Sequence, residues 1–477
     1  MYKFKDYDFG FADSETEYDL TPHLLESAFY DPTNIIDQLI NGYKFLLSGR
    51  KGTGKTAFAS KLRLISDSDP LVNCKYRNLN EFQFKIFYKL GSVDLTGGSR
   101  FLTPWKLMLL LEVMSEIRDI EIGYNPDFDK LYTSLKNYGL LGTDDISRVV
   151  RTVSKKGFRI PIPKLGELIN GSYEQETVLT SLDSIVDTML DVISTLELNE
   201  SKILIVIDGL DDSLRGKDRQ LDTVSGLIRA ANLLNKHFSR NEINVKFIVL
   251  VRPDVLALCT DTDLNKILRD SKLDLKWYRD VRNPLNSDLM QLVKLRFANA
   301  GNREIEAISW YDFFPKIVNG NDSWQFVLEH TLLRPRDVLQ FLIECKSLYP
   351  DHTSLSEQET KAVLANYSEG YFLGELLNEL VGFLHDRTIR SLPGLLAEME
   401  GGSFTSDMWK DACKNYDLEE NPRIILALLF DSGYIGQLSN RGSKTFVNFK
   451  YRDLHIRINY NNSFLIHRGL FKSLNVN

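Results

Sequence analysis

Residues 45–56 read FLLSGRKGTGKT and fit the pattern G-x-x-x-x-G-K-[ST] in full. The apolar run at residues 45–47 predicts a buried strand, and AFASKL at residues 57–62 predicts a helix. Glycines between them let backbone N–H groups wrap around a chain of phosphates, and the helix N-terminus adds a favourable dipole. The segment therefore predicts a phosphate-binding loop, with a glycine-rich turn that binds nothing as the alternative.

The loop predicts how a nucleoside triphosphate would be held. Lys55 is expected to reach the β- and γ-phosphates, and the Thr56 hydroxyl is expected to bind Mg²⁺. The predicted nucleotide-binding residues here are Gly49, Arg50, Lys51, Gly52, Thr53, Gly54, Lys55, Thr56 and Ala57. ATP and Mg²⁺ are the expected cofactors, although the absence of a guanine-specific Asn-Lys-x-Asp motif does not by itself settle the base.

Two further apolar runs predict strands of the same sheet. Residues 203–207 end at Asp208, and residues 245–251 end at Arg252. Continuous apolar strands between helices are typical of a parallel sheet covered by helices on both faces. Ligands bind beyond the carboxyl ends of such strands, where the phosphate loop, Asp208 and Arg252 all fall. The sequence therefore predicts an α/β fold with its site at this edge.

Acidic residues follow the predicted strand at 203–207, in the segment IDGLDD at residues 207–212. The Asp208 carboxylate can hold the Mg²⁺ shell opposite Thr56. Asp211 or Asp212 could orient or deprotonate the attacking water. A solvated acidic turn is the alternative, and no glutamate follows Asp208 directly, so the identity of the base stays open.

Three arginines are candidates for sensing the nucleotide. Arg252 could contact the γ-phosphate or stabilise charge in the transition state, or it could be an ordinary surface residue. Arg334 and Arg336 flank Pro335 at a predicted helix start, where the helix dipole disfavours positive charge. They are therefore expected to contact an anion such as a bound nucleotide, with an ion pair to Asp337 or another acid as the alternative.

Bulk composition narrows the classes of protein. The chain has 477 residues, a length that predicts two to four domains, and its content of 43% apolar and 26% charged residues is ordinary for a globular protein. Its net charge of −7 does not support a protein that coats nucleic acid throughout. The segment from residue 441 to residue 472 is nevertheless basic. Its one acid is Asp453, and its seven basic residues are Arg441, Lys444, Lys450, Arg452, Arg457, Arg468 and Lys472. The four scattered cysteines suggest neither disulfides nor zinc, and no signal peptide or apolar run of membrane-spanning length is seen. We expect a cytoplasmic protein with no membrane contact.

The pattern along the chain predicts three domains. Residues 1–285 are expected to form the phosphate-loop domain, with an insertion at about 95–175, and residues 286–400 a helical lid. In residues 401–477 we expect helices at 408–416 and 422–432, strands at 445–451 and 456–460, and a last helix near 467–474. Two helices followed by a β-hairpin are typical of a winged helix-turn-helix.

Together these motifs resemble bacterial P-loop ATPases of the AAA+/STAND type. The residues that carry the resemblance are Gly49–Thr56 of the loop, Asp208 to Asp212, Arg252-Pro253 and Arg334-Pro335-Arg336-Asp337. The chain also resembles a poorly characterised bacterial family that joins this ATPase to a helical lid and a winged-helix-like domain, through Asp8-Phe9-Gly10, Phe449-Lys450-Tyr451-Arg452 and His467. The resemblance implies an ASCE-type P-loop NTPase sheet. It also implies sensor roles for Arg252 and for Arg334 or Arg336.

The resemblance implies a function as well. Such ATPases are typically switches that form oligomers when nucleotide binds, and many act in bacterial anti-phage defence. The STAND acidic motif usually ends in Asp-Glu, whereas this one ends in Asp211-Asp212, so we expect slow hydrolysis. The resemblance implies a homo-oligomer. We also expect a separate effector protein, because no nuclease, protease, deaminase or NAD-cleaving set of residues stands out in the sequence. One alternative is a DNA-binding AAA+ ATPase resembling origin-recognition or loader proteins, with DNA held by the basic C-terminal region. Another is a non-catalytic scaffold that nucleotide stabilises.

Overall fold

The structure is a computed structural model that describes residues 2–80, 82, 84–120, 124–142, 146–156, 160–163, 177–198, 200–210, 218–259, 263–278, 283–301, 303–441 and 444–476. The chain forms two compact units. One is Thr33–Leu275, and the other combines Met1–Pro32 with Lys276–Asn477. The sequence placed the first 32 residues with the phosphate-loop domain, whereas they group with the C-terminal part of the chain.

A five-stranded parallel sheet lies at the centre of the unit Thr33–Leu275. The strands of this unit are β1 (Leu46–Ser48), β2 (Val72–Asn78), β3 (Ile160–Ile162), β4 (Thr177–Leu179), β5 (Lys202–Asp208), β6 (Val245–Val251) and β7 (Lys272–Asp274). The order across the main sheet is β2-β5-β6-β1-β7, and β3 and β4 form a separate antiparallel pair. Every pair of neighbours in the main sheet is parallel. The predicted α/β sheet with its strands at residues 203–207 and 245–251 is confirmed.

Helices cover both faces of this sheet, as β2 shows. Lys75 and Arg77 form ion pairs with glutamates of Leu102–Asp119, whereas the ring of Tyr76 lies under the Arg63 guanidinium of Lys55–Ser68. Because successive strand residues point to opposite faces, the two helices lie on opposite sides. The helices of this unit are Ile35–Ile40, Lys55–Ser68, Phe84–Phe87, Leu102–Asp119, Pro126–Tyr138, Ile146–Lys156, Leu182–Ser194, Asp218–Arg240, Pro253–Leu258 and Leu264–Ser271.

Part of the predicted insertion at 95–175 belongs to the core of this unit. The helix Leu102–Asp119 buries Trp105, Leu110 and Met114, each at most 2% exposed. The Trp105 indole N–H donates to the carbonyl oxygen of Thr223 at 2.7 Å. The apolar face of this helix therefore forms part of the sheet's own covering layer.

The second unit begins with an aromatic contact between the chain's N-terminus and a later helix. Phe4, Tyr7 and Phe9 are at most 2% exposed, and all three rings contact Phe297. Such aromatic pairs contribute beyond their buried area. This packing explains why the first residues group with the C-terminal part of the chain.

Helices dominate the middle of the second unit. Its helices up to residue 400 are Ser14–Leu20, Pro22–Ser27, Asp288–Asn299, Ser323–Leu328, Pro335–Leu348, Glu357–Tyr367, Leu373–Leu380 and Asp386–Ala397, with a π-helical turn at Ser368–Phe372. A short hairpin joins β8 (Ile317–Val318) to β9 (Asn321–Asp322). The predicted helix start at Pro335 is confirmed, since Pro335 is the first residue of its helix.

The C-terminal part combines two helices with an antiparallel sheet. The helices are Ser406–Cys413 and Pro422–Ser432, and the strands are β10 (Ser403–Phe404), β11 (Ile435–Arg441), β12 (Lys444–Asn448) and β13 (Phe464–Ile466). The sheet order is β10-β13-β11-β12, and β11 and β12 form a hairpin.

Two predictions in this region are wrong. The strand expected at 456–460 does not form, because the Gln437 side chain takes the backbone groups there: it donates to the Arg457 carbonyl and accepts from the Asn459 N–H. The strand that pairs instead is β13. The last helix expected near 467–474 is a 3₁₀ turn at Arg468–Leu470. Among the helices that the structure describes, none has the length and apolar character needed to cross a bilayer.

Candidate functional site

The phosphate loop joins β1 to the helix Lys55–Ser68 and is shaped by its glycines. Gly52 and Gly54 have φ of 79° and 90°, in the left-handed region that favours glycine. A Cβ at Gly49 would lie 2.3 Å from Thr53 Oγ1, so this position also excludes a side chain. The sequence therefore folds into a tight loop, as the motif predicted.

Lys55 lies inside the curve of this loop. It is 7% exposed, and its Nζ donates to the carbonyl oxygen of Gly49 at 3.0 Å. Thr53 Oγ1 donates to the carbonyl of Arg50 at 2.7 Å, which holds the loop closed. A cation beside the N–H groups of a helix N-terminus forms a site for an anion. The other predicted loop contacts, Arg50, Lys51 and Ala57, are half-buried.

The structure brings Thr56 and Asp208 into direct contact. Thr56 Oγ1 donates to Asp208 Oδ2 at 2.8 Å, although the two residues are 152 positions apart in the chain. Tyr76 OH donates to the same carboxylate oxygen at 3.3 Å, and the Gly209 N–H donates to Oδ1 at 2.7 Å. Asp208 is 6% exposed, so these donors fix a buried carboxylate beside the hydroxyl that ends the phosphate loop.

Gly209 lets a neighbouring loop approach Asp208 closely. Its φ is 77°, and a Cβ there would lie 2.2 Å from Asn78 Oδ1 and 2.7 Å from Asn80 Oδ1. Asn78 pairs with Asp208 in the register of β2 and β5. The amides of Asn78 and Asn80 therefore lie at the edge of the site.

Arg252 follows the strand that lies between the phosphate loop and Asp208. In the sheet, β6 is flanked by β5 and β1, which places Arg252 at the same carboxyl edge. Its guanidinium is held by Asp254, with Nε and Nη2 donating at 2.9 and 2.7 Å. The position suits a phosphate sensor, and this geometry fixes the direction of the guanidinium. The sensor role stays a prediction.

Arg334 and Arg336 lie in the other unit and differ sharply. Arg334 is 4% exposed, and its Nε donates to Asp337 Oδ1 at 2.7 Å. Burial opposes its charge, but Asp337 and nearby groups raise the pKa of Arg334 above its ordinary value. Arg334 therefore forms the buried ion pair with Asp337 that the sequence analysis gave as the alternative to binding an anion.

Arg336 is the more available of the two. Its side chain is 26% exposed, and its Nη1 lies 3.5 Å from Glu375 Oε2. Within the described part of the chain, its buried Nε has no hydrogen-bond partner. The role of Arg336 in sensing nucleotide stays a prediction.

Asp211 and Asp212 lie outside the described residues. Tyr76 was overlooked as a site residue: residues 71–76 favour a strand, but the sequence alone does not give the register of that strand with β5. The available sign was the Asn-Leu-Asn sequence at 78–80, which marks a polar strand end like those of β1, β5 and β6.

The donor set fits ATP and Mg²⁺. The loop offers Lys55 and backbone N–H groups to phosphates, and Thr56 and Asp208 offer the oxygen ligands that Mg²⁺ prefers. Bound Mg²⁺–ATP would supply a phosphoanhydride bond and a cation that neutralises charge on its oxygens. The chain's residues would hold the phosphates, orient the hydroxyl of Thr56 and keep a carboxylate in place behind it.

Comparisons with known sequences match parts of the chain. Residues 287–373 match the family model described as the FunZ-associated C-terminal helical domain. An Escherichia coli (strain K12) protein named "Putative transposon gamma-delta 80.3 kDa protein" is 22% identical over 354 residues, covering 70% of this chain and 46% of the relative. The chain thus spans less than half the length of this curated relative.

Comparisons with solved structures find Orc1, Cdc6p and ORC structures at low similarity. The Orc1 protein of Aeropyrum pernix, solved in complex with DNA, gives a TM-score of 0.38 at 13% identity, with 98% of this chain and 93% of that chain covered. Cdc6p from Pyrobaculum aerophilum gives a TM-score of 0.32 at 12% identity, with 98% of this chain and 97% of that chain covered. Drosophila ORC bound to DNA gives a TM-score of 0.25 at 12% identity, with 97% of this chain and 96% of that chain covered. The strand order and the phosphate loop of this chain define its fold.

Proposed function

We propose that this chain is an ATP-binding and slowly hydrolysing switch of the AAA+/STAND type. The observation that carries the proposal is the hydrogen bond of 2.8 Å from Thr56 Oγ1 to Asp208 Oδ2. It joins a hydroxyl at the end of a phosphate loop to a buried carboxylate at the end of a neighbouring strand. In P-loop NTPases this pair of groups holds Mg²⁺ on the β- and γ-phosphates.

Each site residue takes one role in the proposal. Lys55 and the loop backbone bind the phosphates, Thr56 and Asp208 hold the magnesium shell, and Arg252 senses the γ-phosphate. Asp211 or Asp212 orients the water that attacks. Hydrolysis is slow because no glutamate follows Asp208 and aspartate is the shorter acid.

The output of the switch is assembly rather than turnover. Nucleotide favours one arrangement of the chain, and hydrolysis releases it. Within this proposal the unit Thr33–Leu275 is the ATPase domain, and residues 286–400 and 401–477 are the helical lid and a winged-helix-like domain. Homo-oligomers of the chain control a separate effector protein. The resemblance to bacterial AAA+/STAND ATPases suggests that they do so in anti-phage defence. This last step is analogy, since a fold does not fix a function.

Phosphate release and particle mass test the proposal together. We expect ATP with Mg²⁺ to give phosphate release that Lys55→Ala abolishes, and mass photometry to show larger particles with ATP than with ADP or no nucleotide. Lys61→Ala, in the same helix, is the control variant. If ATP raises the melting temperature while both the native chain and Lys55→Ala release no phosphate, the scaffold alternative replaces the switch. No heat of binding with any nucleoside triphosphate and Mg²⁺ refutes both.

Replacing Arg336 with alanine should reduce turnover more than it reduces nucleotide affinity. The Arg336 side chain is 26% exposed, and removing a donor to the γ-phosphate affects the transition state more than the bound ground state. We expect kcat to fall by about tenfold or more, with ATP affinity changed by less than about threefold. The measurement is steady-state phosphate release beside a binding titration. Equal losses of ATP and ADP affinity would remove Arg336 from this role.

DNA binding is the second candidate, favoured by the C-terminal part of the chain. Two helices precede the β11–β12 hairpin, and Arg452, Arg457 and Lys472 are exposed. Lys450 and Arg468 instead bind the Ile456 carbonyl and Glu329. Binding to duplex DNA that weakens steeply with salt would support this candidate, and no binding at low salt would end it.

A further inference from the structure

Tyr76 presents its hydroxyl to a carboxylate of the candidate site. Its OH donates to Asp208 Oδ2 at 3.3 Å, and Thr56 Oγ1 donates to the same oxygen at 2.8 Å. The Gly209 N–H occupies the other oxygen at 2.7 Å. The carboxylate is therefore held by donors on both oxygens, and Tyr76 is the only one of the three that comes from β2.

The strand register explains how the hydroxyl reaches Asp208. In the parallel ladder Tyr76 pairs with Val206, two residues before Asp208 on β5. Residues two apart on a strand share a face and lie about 6.6 Å apart along it. A tyrosine leaning along its strand spans that distance. Substituting a shorter residue at this position would remove the donor.

The ring of Tyr76 is fixed from the helix side, and β2 is anchored on the other face. The Arg63 guanidinium lies 5.5 Å from the ring centre. On the opposite face of β2, Arg77 Nε donates to Glu112 Oε2 at 2.8 Å, and Lys75 Nζ lies 3.0 Å from Glu116 Oε1. These contacts oppose a shift of the strand, so the hydroxyl stays directed at Asp208.

We infer that Tyr76 is a positioning residue for Asp208 and, through it, for a divalent cation at Thr56. The inference rests on the proposed function. The single hydroxyl proton of Thr56 goes to Oδ2, which leaves its oxygen lone pairs free to face a cation. A carboxylate turns readily about its last torsion, and the second donor on Oδ2 restricts that turning. Tyr76 thereby keeps Thr56 oriented toward the metal.

Tyr76→Phe tests this role because it removes the hydroxyl and keeps the ring. We expect the apparent affinity for Mg²⁺, titrated at fixed ATP, to fall about tenfold, as is typical when a group behind a metal ligand is lost. ATP affinity in EDTA should not change. Tyr311→Phe is the matched control, since Tyr311 OH also donates to an aspartate, Asp322, at 2.5 Å. It should leave both affinities unchanged.

A double-mutant cycle separates positioning from mere structure. Tyr76→Phe, Asp208→Asn and the double variant should show nonadditive effects on the unfolding midpoint of the nucleotide-free chain. Additive effects of the two substitutions on the unfolding midpoint overturn the inference. Nonadditive effects with an unchanged Mg²⁺ affinity of Tyr76→Phe also overturn it, because the contact between Tyr76 and Asp208 would then be structural only. A native chain that binds ATP without any Mg²⁺ dependence, or binds no nucleotide, overturns the proposed function and this inference with it. If ATP binding by the native chain does depend on Mg²⁺ but Tyr76→Phe has the same Mg²⁺ affinity as the native chain, only the inference about Tyr76 is overturned.

Discussion

Asp208→Ala is expected to lose at least about 100-fold of Mg²⁺-dependent ATP turnover. The substitution removes the carboxylate that accepts the Thr56 hydroxyl proton at 2.8 Å, so the hydroxyl loses its orientation toward the metal. ATP should still bind, because Lys55 and the loop backbone make the phosphate contacts. The measurement is phosphate release over a range of Mg²⁺ concentrations, beside a binding titration with ATP.

Two further variants make this result interpretable. Asp208→Asn keeps the shape of the side chain and an acceptor for Thr56 but removes the charge, so a similar loss of turnover would assign the effect to the carboxylate rather than to folding. Asp263→Asn removes a half-exposed acid that pairs with Arg229, and it should leave turnover unchanged. Native turnover in Asp208→Ala would reject the magnesium assignment.

The sheet was predictable because its signals are local. Residues 45–56 carry a strand, a loop and a helix start within one segment, and the β5 and β6 runs are almost wholly apolar. Residues buried on both faces of a sheet give such continuous runs. Since the carboxyl ends of parallel strands share an edge, the meeting of Thr56 with Asp208 followed from pattern alone.

What the sequence did not predict depends on contacts between distant segments. The aromatic packing of Phe4 on Phe297 has no local pattern, so the first residues were assigned to the wrong part of the chain. Residues 456–460 have alternation that favours a strand, but Gln437 satisfies their backbone groups. Tyr76 joined the site only through the register of β2 with β5.

Arg334→Ala is expected to destabilise the second unit by about 3–5 kcal/mol, the usual effect of breaking a buried ion pair. Asp337 is 0% exposed and accepts from Arg334 Nε at 2.7 Å, the Leu332 N–H at 2.8 Å and Tyr371 OH at 2.9 Å. Removing the guanidinium leaves a buried carboxylate without its neutralising charge. The measurement is urea unfolding of the nucleotide-free chain, with the transition of each unit fitted separately because two units need not unfold together.

Arg336→Ala is the matched control, and the pair of variants distinguishes the two roles predicted for these arginines. Arg336 is partly exposed and 3.5 Å from Glu375, so its loss should change stability by less than about 1 kcal/mol. If Arg334 supports the fold and Arg336 contacts nucleotide, stability falls in the first variant and turnover in the second. The reverse pattern, a stable Arg334→Ala chain with impaired turnover, would mean that the Arg334–Asp337 pair opens when nucleotide binds. The dipole mismatch at Pro335 would then mark Arg334 as the sensor.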